Sequence, residues 1–295
     1  MQQPRRVRQF LESMARRLPS VRLQYEHMEA LANELAACSK ELAACSKELA
    51  ACRDEFAAFR SRFSAARLGG FIPHDREGAL TSEERRVVDQ FHDLYYGLGQ
   101  RGRHTNHVSW LGYSSLKCPL DLWIYQELIC RLRPEFIIET GTASGGSALF
   151  LASMCDLIDH GQVITIDVDA REGQRRPVHP RITYMVGSSV DQAVIARVQE
   201  ALGGNHAGLV ILDSDHHRDH VLAEMRAFAP LVPLGGYLVV EDTNINGHPV
   251  YPDFGPGPME AVRLFLAEAD AFEVDSSCER FILTMNPSGF LRRDR

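Results

Sequence analysis

No stretch of these 295 residues has the length and apolarity of a membrane span, and no leader with a cleavage site is expected at the start. Basic excess is missing too. The formal net charge is -7, which argues against general binding of nucleic-acid phosphates, since that needs a concentrated basic face. The 7 cysteines (positions 38, 45, 52, 118, 130, 155 and 278) contain no C-x-x-C pair. A zinc cage and a disulfide framework are therefore disfavoured, and a reducing cytoplasm is the expected home. What is there, 45% hydrophobic and 24% charged residues, suits one good-sized globular domain with an appendage.

The appendage is legible as a repeat. Residues 34 to 54 read ELAACSK, ELAACSK, ELAACRD, one heptad written three times. Leu35, Leu42 and Leu49 take position a and Cys38, Cys45 and Cys52 position d of a coiled-coil seam. The a register extends from Val7 through Met14, Val21 and Met28 to Phe56 and Phe63, while Arg17 and Gln24 interrupt the d series. Pro19 should break any continuous helix, so the helix is expected to start near Ser20 and to run to Ala66. Its length would be about 70 Å at a rise of ~1.5 Å per residue. Residues 1–66 are thus read as a coiled coil that joins copies of the chain into a homo-oligomer. The competing reading is one amphipathic helix folded onto its own catalytic domain. The basic start (Arg5, Arg6, Arg8, Arg16, Arg17) is read as a solvated end, with contact to an anionic membrane surface as the alternative. Gly69, Gly70 and Pro73 punctuate the next segment. Residues 67–118 are read as linker and lid, with a helix at 82–98 and a loop from Gly99 to His107.

From 119 to 295 apolar runs alternate with helix-length segments. Strands are expected at 136–140, 163–167, 182–187, 209–213 and 237–241, with a closing hairpin from 272–276 and 280–285. Such runs imply an α/β domain, a Rossmann-like, seven-stranded, mostly parallel sheet with helices on both faces. In open sheets of this kind ligands sit beyond the carboxyl ends of the strands.

The first of these strands runs into Glu139, Gly141, Gly145, Gly146 and Ser147, spaced E-x-G-x-x-x-G-G, before a helix. Glycines allow a tight turn and close ligand approach, and the helix start favours an anionic group. Glu139 replaces the first glycine of the dinucleotide fingerprint. An acid there repels a pyrophosphate but suits the ammonium and sulfonium of S-adenosylmethionine. Asp167 ends the second strand and can accept ribose hydroxyls. The competing reading is an α/β protein whose tight turn simply needs glycine.

Two neighbouring strands end in acids, Asp213-Ser-Asp215-His216-His217 and Glu241-Asp242. Asp213, Glu241 and Asp242 could hold a hard divalent cation such as Mg2+, which would lower the pKa of a bound substrate hydroxyl. His216 is then the natural general base. Asp215 is read as the cap of a helix starting near His216. Zinc on His216, His217 and His220 is a poorer fit because the strand-end donors are oxygens. A non-haem iron site is poorer still, since the single H-x-[DE] (His27 to Glu29) lies in the coil.

Residues from about 110 onward resemble the cephalosporin hydroxylase/rhamnosyl O-methyltransferase family. The resemblance rests on Trp110–Gly112, Lys117–Glu127, Ile138–Ser147, Leu212–His216, Glu241–Asn244, Asn246–Val250, Phe254–Pro258 and Asn286–Leu291. It implies the fold of class I methyltransferases, a metal on Asp213, Glu241 and Asp242, and His216 as base. It further implies a cofactor site of Glu139, Gly141, Ser147, Asp167 and Ser189, with Asp213 counted there too. A loop over 246–258 would cover the substrate, a hydroxyl of a sugar, glycosylated or polyketide-like small molecule. Two alternatives stand beside methyl transfer: a cofactor-binding scaffold that has lost its chemistry, and a subunit associated with a hydroxylase.

Overall fold

The computed structural model describes residues 10, 13–14, 19–65, 80–100, 108–169 and 176–295. The chain divides into two units, Met1–Gly70 and Phe71–Arg295. The basic N-terminal residues, Gly69, Gly70, Pro73 and most of the Gly99–His107 loop lie outside the described residues.

The first unit carries one long helix, α1 (Pro19–Ala65). Its Ala-, Glu- and Lys-rich repeats favour helix throughout, and proline is tolerated where it stands, in the first turn. Leu35, Leu42 and Leu49 are about three-quarters exposed, and Cys38 and Cys45 are exposed as well. Among the described residues no helix is long and apolar enough to cross a membrane.

The second unit opens with α2 (Ser82–Gln100) and a short hairpin, β1 (Ser109–Trp110) with β2 (Tyr113–Ser114). Next come α3 (Pro119–Leu132), β3 (Phe136–Thr140), α4 (Gly146–Leu157), β4 (Gln162–Asp167), β5 (Ile182–Val186) and α5 (Gln192–Leu202). The chain continues through β6 (Ala207–Leu212), α6 (Arg218–Phe228), β7 (Tyr237–Val240), α7 (Pro258–Glu268), β8 (Phe272–Val274) and β9 (Phe290–Arg293). The main sheet has the order β5-β4-β3-β6-β7-β9-β8. The first five strands of that order run parallel, and β9 is antiparallel to both β7 and β8.

Strand parity explains how the sheet is covered. On β6, Val210 and Leu212 enter one core with α5, α6 and α7, while Leu209 and Ile211 enter the other with α3 and α4. Successive side chains point to opposite faces, so a strand buried on both sides must be apolar at every position. All six residues of β6 are buried. Because β4 and β5 lie on one side of β3, and β6 and β7 on the other, the order reverses between β3 and β6. Loops leaving those two strands part company there and open a crevice.

The closing hairpin differs from expectation. Residues 280–285 form no strand; the partner of β8 is β9, at 290–293. In the apolar run FILTM, Phe281 and Ile282 are partly exposed and Ile282 takes φ 74°. Thr284 and Met285 instead bind the buried Asp121 carboxylate, Thr284 Oγ1 at 2.6 Å and Met285 N at 3.0 Å. The run is a side-chain anchor rather than a ladder.

Candidate active site

The glycine turn after β3 is shaped by its neighbours. Gly141 has φ 86°, and a Cβ there would lie 1.8 Å from the backbone oxygen of Asp213. At Gly146 a Cβ would lie 2.1 Å from the oxygen of Ser114 on β2. These two glycines are therefore demanded by backbone packing at the switch point, in addition to any ligand approach. The backbone N–H of Asp213 donates to Thr140 O at 3.2 Å, which closes the floor between β3 and β6.

Above that floor lies a cavity of about 600 Å³. It brings together Gly141, Ser147, Asp167, Ser189, Asp213, His216 and Asp242. Tyr95 and Tyr96 of α2, with Leu116, form a further part of its wall. The loop 246–258, expected to cover the substrate, does not line it. That loop is tied to itself and to α7: Gly255 N donates to Asn246 Oδ1 at 3.1 Å, and Glu260 receives Gly257 N and pairs with His248, both at 2.7 Å.

Asp167, at the tip of β4, accepts the Ala143 backbone N–H at 2.8 Å and lies 3.4 Å from Arg176. Ser189 Oγ meets His220 Nε2 at 3.3 Å. Glu139 does not line the cavity. It belongs to β3 itself, is fully buried, and accepts Thr165 Oγ1 at 2.7 Å. The part of Glu139 in cofactor binding stays an expectation of the sequence. Parity explains the position, since Glu139 follows Ile137 onto the face toward α3 and α4.

The acids beyond β6 and β7 separate in the same way. Asp213, His216 and Asp242 each offer a ligand atom, all within 4.8 Å of one another. Glu241, expected as the third ligand, is not brought into that grouping. Its Oε1 accepts Tyr125 Oη at 2.6 Å and lies 2.7 Å from Lys117 Nζ. Glu241 continues the parity of Tyr237 and Val239, which face Tyr125. Asp242 escapes it through a left-handed backbone, φ 54°, that aspartate tolerates, and its N–H donates to Asn286 Oδ1 at 3.0 Å. His216 Nε2 stands 3.3 Å from Asp242 Oδ2.

Asp215 is also corrected. The helix starts at Arg218 with His217 as its cap residue, and Asp215 Oδ1 accepts the His217 N–H at 2.8 Å. His217 pairs with Asp215, and His220 with Ser189 and Ser214, so neither histidine joins the acid cluster.

Burial pushes the pKa of Asp213 and of Asp242 up, offset by Lys117 for the first and by His216 for the second. Burial likewise raises Glu241 against the pull of Lys117. Lys117, which no spacing rule singled out, is buried yet stays protonated. Desolvation alone would push its ammonium down, and the carboxylates of Asp213, Glu241 and Glu139 outweigh it.

The chain is similar to known proteins. A family model described as Rhamnosyl O-methyltransferase/CmcI matches residues 102–294. A rhamnosyl O-methyltransferase from Mycobacterium bovis (strain BCG / Pasteur 1173P2) is 38% identical over 214 residues, covering 70% of this chain and 85% of that protein. The Mycobacterium leprae (strain TN) protein of the same name is 37% identical over 221 residues, 73% of this chain and 94% of its own length. Among solved structures, a CmcI with Mg and SAM aligns at 22% identity and TM-score 0.49, over 67% of this chain and 84% of that one.

Proposed function

The chain belongs to the rhamnosyl O-methyltransferase/CmcI family and is an S-adenosylmethionine-dependent O-methyltransferase, and from that premise we propose that it methylates a sugar hydroxyl with the help of a divalent cation. One observation carries the reading. The acid at the tip of β4 and the cluster of Asp213, His216 and Asp242 open into a single cavity at the switch point. The two carboxylates of Asp213 and Asp242, within reach of one point just beyond the strand ends, fit a hard cation such as Mg2+ and leave its remaining positions to oxygen ligands. The cavity also fits the cofactor. Asp167 offers a carboxylate to ribose hydroxyls, and the tight turn at Gly141 leaves room beside it.

When bound, S-adenosylmethionine supplies an electrophilic methyl group, and the cation supplies a Lewis acid for the acceptor oxygen. The chain does the rest. Asp213 and Asp242 would hold the cation. His216 Nε2 would accept the proton of the acceptor hydroxyl, with Asp242 steadying the imidazolium, while the methyl group passes to that oxygen and the cofactor leaves as S-adenosylhomocysteine. Tyr95 and Tyr96 give the wall on which a sugar ring lies, and α2 with the β1–β2 hairpin serves as the lid. Positioning and charge neutralisation provide most of the acceleration. The grouping of His216 with the two acids favours a second reading, in which its imidazole is a third cation ligand.

The acceptor class rests on the relatives, which are named rhamnosyl O-methyltransferases. The seam of α1 is proposed to join copies of the chain into a coiled-coil oligomer, and the protein to work in the cytoplasm. Purified protein, S-adenosylmethionine, Mg2+ and a panel of rhamnosides should yield S-adenosylhomocysteine and a product heavier by one methylene. Turnover that survives EDTA unchanged would remove the cation from the reaction. Cofactor binding without any methyl transfer across the panel would favour a scaffold instead.

A further inference from the structure

Lys117 lies in the loop between β2 and α3, and its side chain is 3% exposed. The ammonium forms a short ion pair with Asp213 Oδ2 and lies 2.7 Å from Glu241 Oε1. Glu241 is held from its other side by Tyr125 Oη, and Asn286 Nδ2 donates to that same hydroxyl at 3.2 Å. Glu139 adds a third carboxylate to the field of the ammonium. Thus one buried cation stands among acids from three strands, immediately behind the cluster of Asp213, His216 and Asp242.

We propose that Lys117 is a built-in counter-ion, which keeps Asp213 and Glu241 in place while the site holds no cation and sets how tightly a divalent cation binds. Buried carboxylates brought this close repel one another and lose their hydration, and the removal of one partner from such a group leaves an uncompensated charge. A fixed ammonium meets both costs without any metal. It also shares Asp213 with the cation site, so an arriving divalent ion meets like-charge repulsion and one fewer net negative charge. Lys117 is therefore a positioning residue. Its first role stands without the divalent-cation reading of the site, and its second depends on it.

The test uses the full chain carrying Lys117→Met, with Lys117→Met/Glu241→Gln as its companion. Thermal unfolding is followed in EDTA and in saturating Mg2+, and Mg2+ binding is measured by calorimetry. In EDTA the midpoint of Lys117→Met should fall by about 5–10 °C, as expected for a broken buried pair. Mg2+ should recover most of that loss, and the Mg2+ dissociation constant should fall about tenfold. The companion should regain stability in EDTA because one carboxylate leaves with the ammonium, which restores the net charge of the group. If Lys117→Met is insoluble, recovery of soluble protein in the companion supports the counter-ion and failure of both overturns it. An unchanged midpoint in EDTA, a loss that neither Mg2+ nor the second substitution repairs, or weaker Mg2+ binding would each overturn it. Parent protein that binds no Mg2+ defeats the divalent-cation reading alone, and the comparison in EDTA still decides the counter-ion.

Discussion

Asp167 Oδ2 accepts the backbone N–H of Ala143 at 2.8 Å, so the tip of β4 holds the glycine turn after β3. One carboxylate thus fixes the shape of the turn and, on the function proposed above, would offer its remaining acceptor capacity to ribose. Asp167→Asn keeps the size of the side chain but replaces one of its two acceptor oxygens with a donor. We expect KM for S-adenosylmethionine to rise about 10- to 100-fold, the worth of about 1.5–3 kcal/mol for hydrogen bonds to a charged group. Initial rates at varied cofactor concentration measure this, and kcat should change far less.

His216 divides two roles that a static arrangement places together. As a general base it is needed for proton removal and leaves cation binding intact. As a ligand it is needed for binding itself. Under the base reading, His216→Gln should lower kcat by about 10²–10⁴-fold with a Mg2+ dissociation constant within a few-fold of the parent. Calorimetry with Mg2+ beside steady-state rates separates the roles, and a lost affinity would make His216 the third ligand.

What was legible in the sequence depends on whether each residue's role is set locally. The runs ending in Asp213 and Asp242 announce strand tips because burial on both faces demands unbroken apolar residues. The inward contacts of Glu241 and Glu139 are not legible from the position of the strand ends alone. Period-two parity, counted from Tyr237 and from Ile137, would have sent both toward α3. Lys117 had no such signal. Its partner Asp213 lies 96 residues further on, and a lysine in a loop ordinarily reads as solvated. The run at 280–285 misled for a related reason, since apolar character alone cannot tell a ladder from an anchor.

His92 gives a prediction about pH. It is buried on α2, where Asn244 Nδ2 lies 2.9 Å from its Nε2, an arrangement that needs that nitrogen unprotonated. Burial pushes its pKa down to about 4, against the opposing charges of Asp89 and Asp93. An unfolded histidine titrates near 6.5. Between those values the unfolded chain binds more protons, so this group's stabilising contribution is full above about 6.5 and declines as pH falls toward about 4. Urea unfolding at stepped pH should show that decline, and His92→Gln should flatten it while leaving the contributions of the carboxylates.

The seam of α1 decides its own orientation through charge and through sulfur. Within the repeat, Leu stands at a, Cys at d and Glu34, Glu41 and Glu48 at g. Antiparallel pairing would set leucine against cysteine and bring the g-position glutamates of two chains face to face, like charges along the rim. Parallel, in-register pairing sets each cysteine opposite its twin, near the Cα separation a disulfide tolerates, and keeps those glutamates apart. Leu35, Leu42 and Leu49 are exposed at about three-quarters of their surface in the single chain, which such pairing would bury. Full-length protein should therefore sediment as an oligomer, and mild oxidation should give a cross-linked dimer on a non-reducing gel. Cys38→Ser/Cys45→Ser/Cys52→Ser should lose the cross-link and keep the oligomer. Leu35→Gln/Leu42→Gln/Leu49→Gln should sediment as monomer. A monomeric parent would leave α1 without this role, and an oligomer that resists oxidation throughout would reverse the orientation.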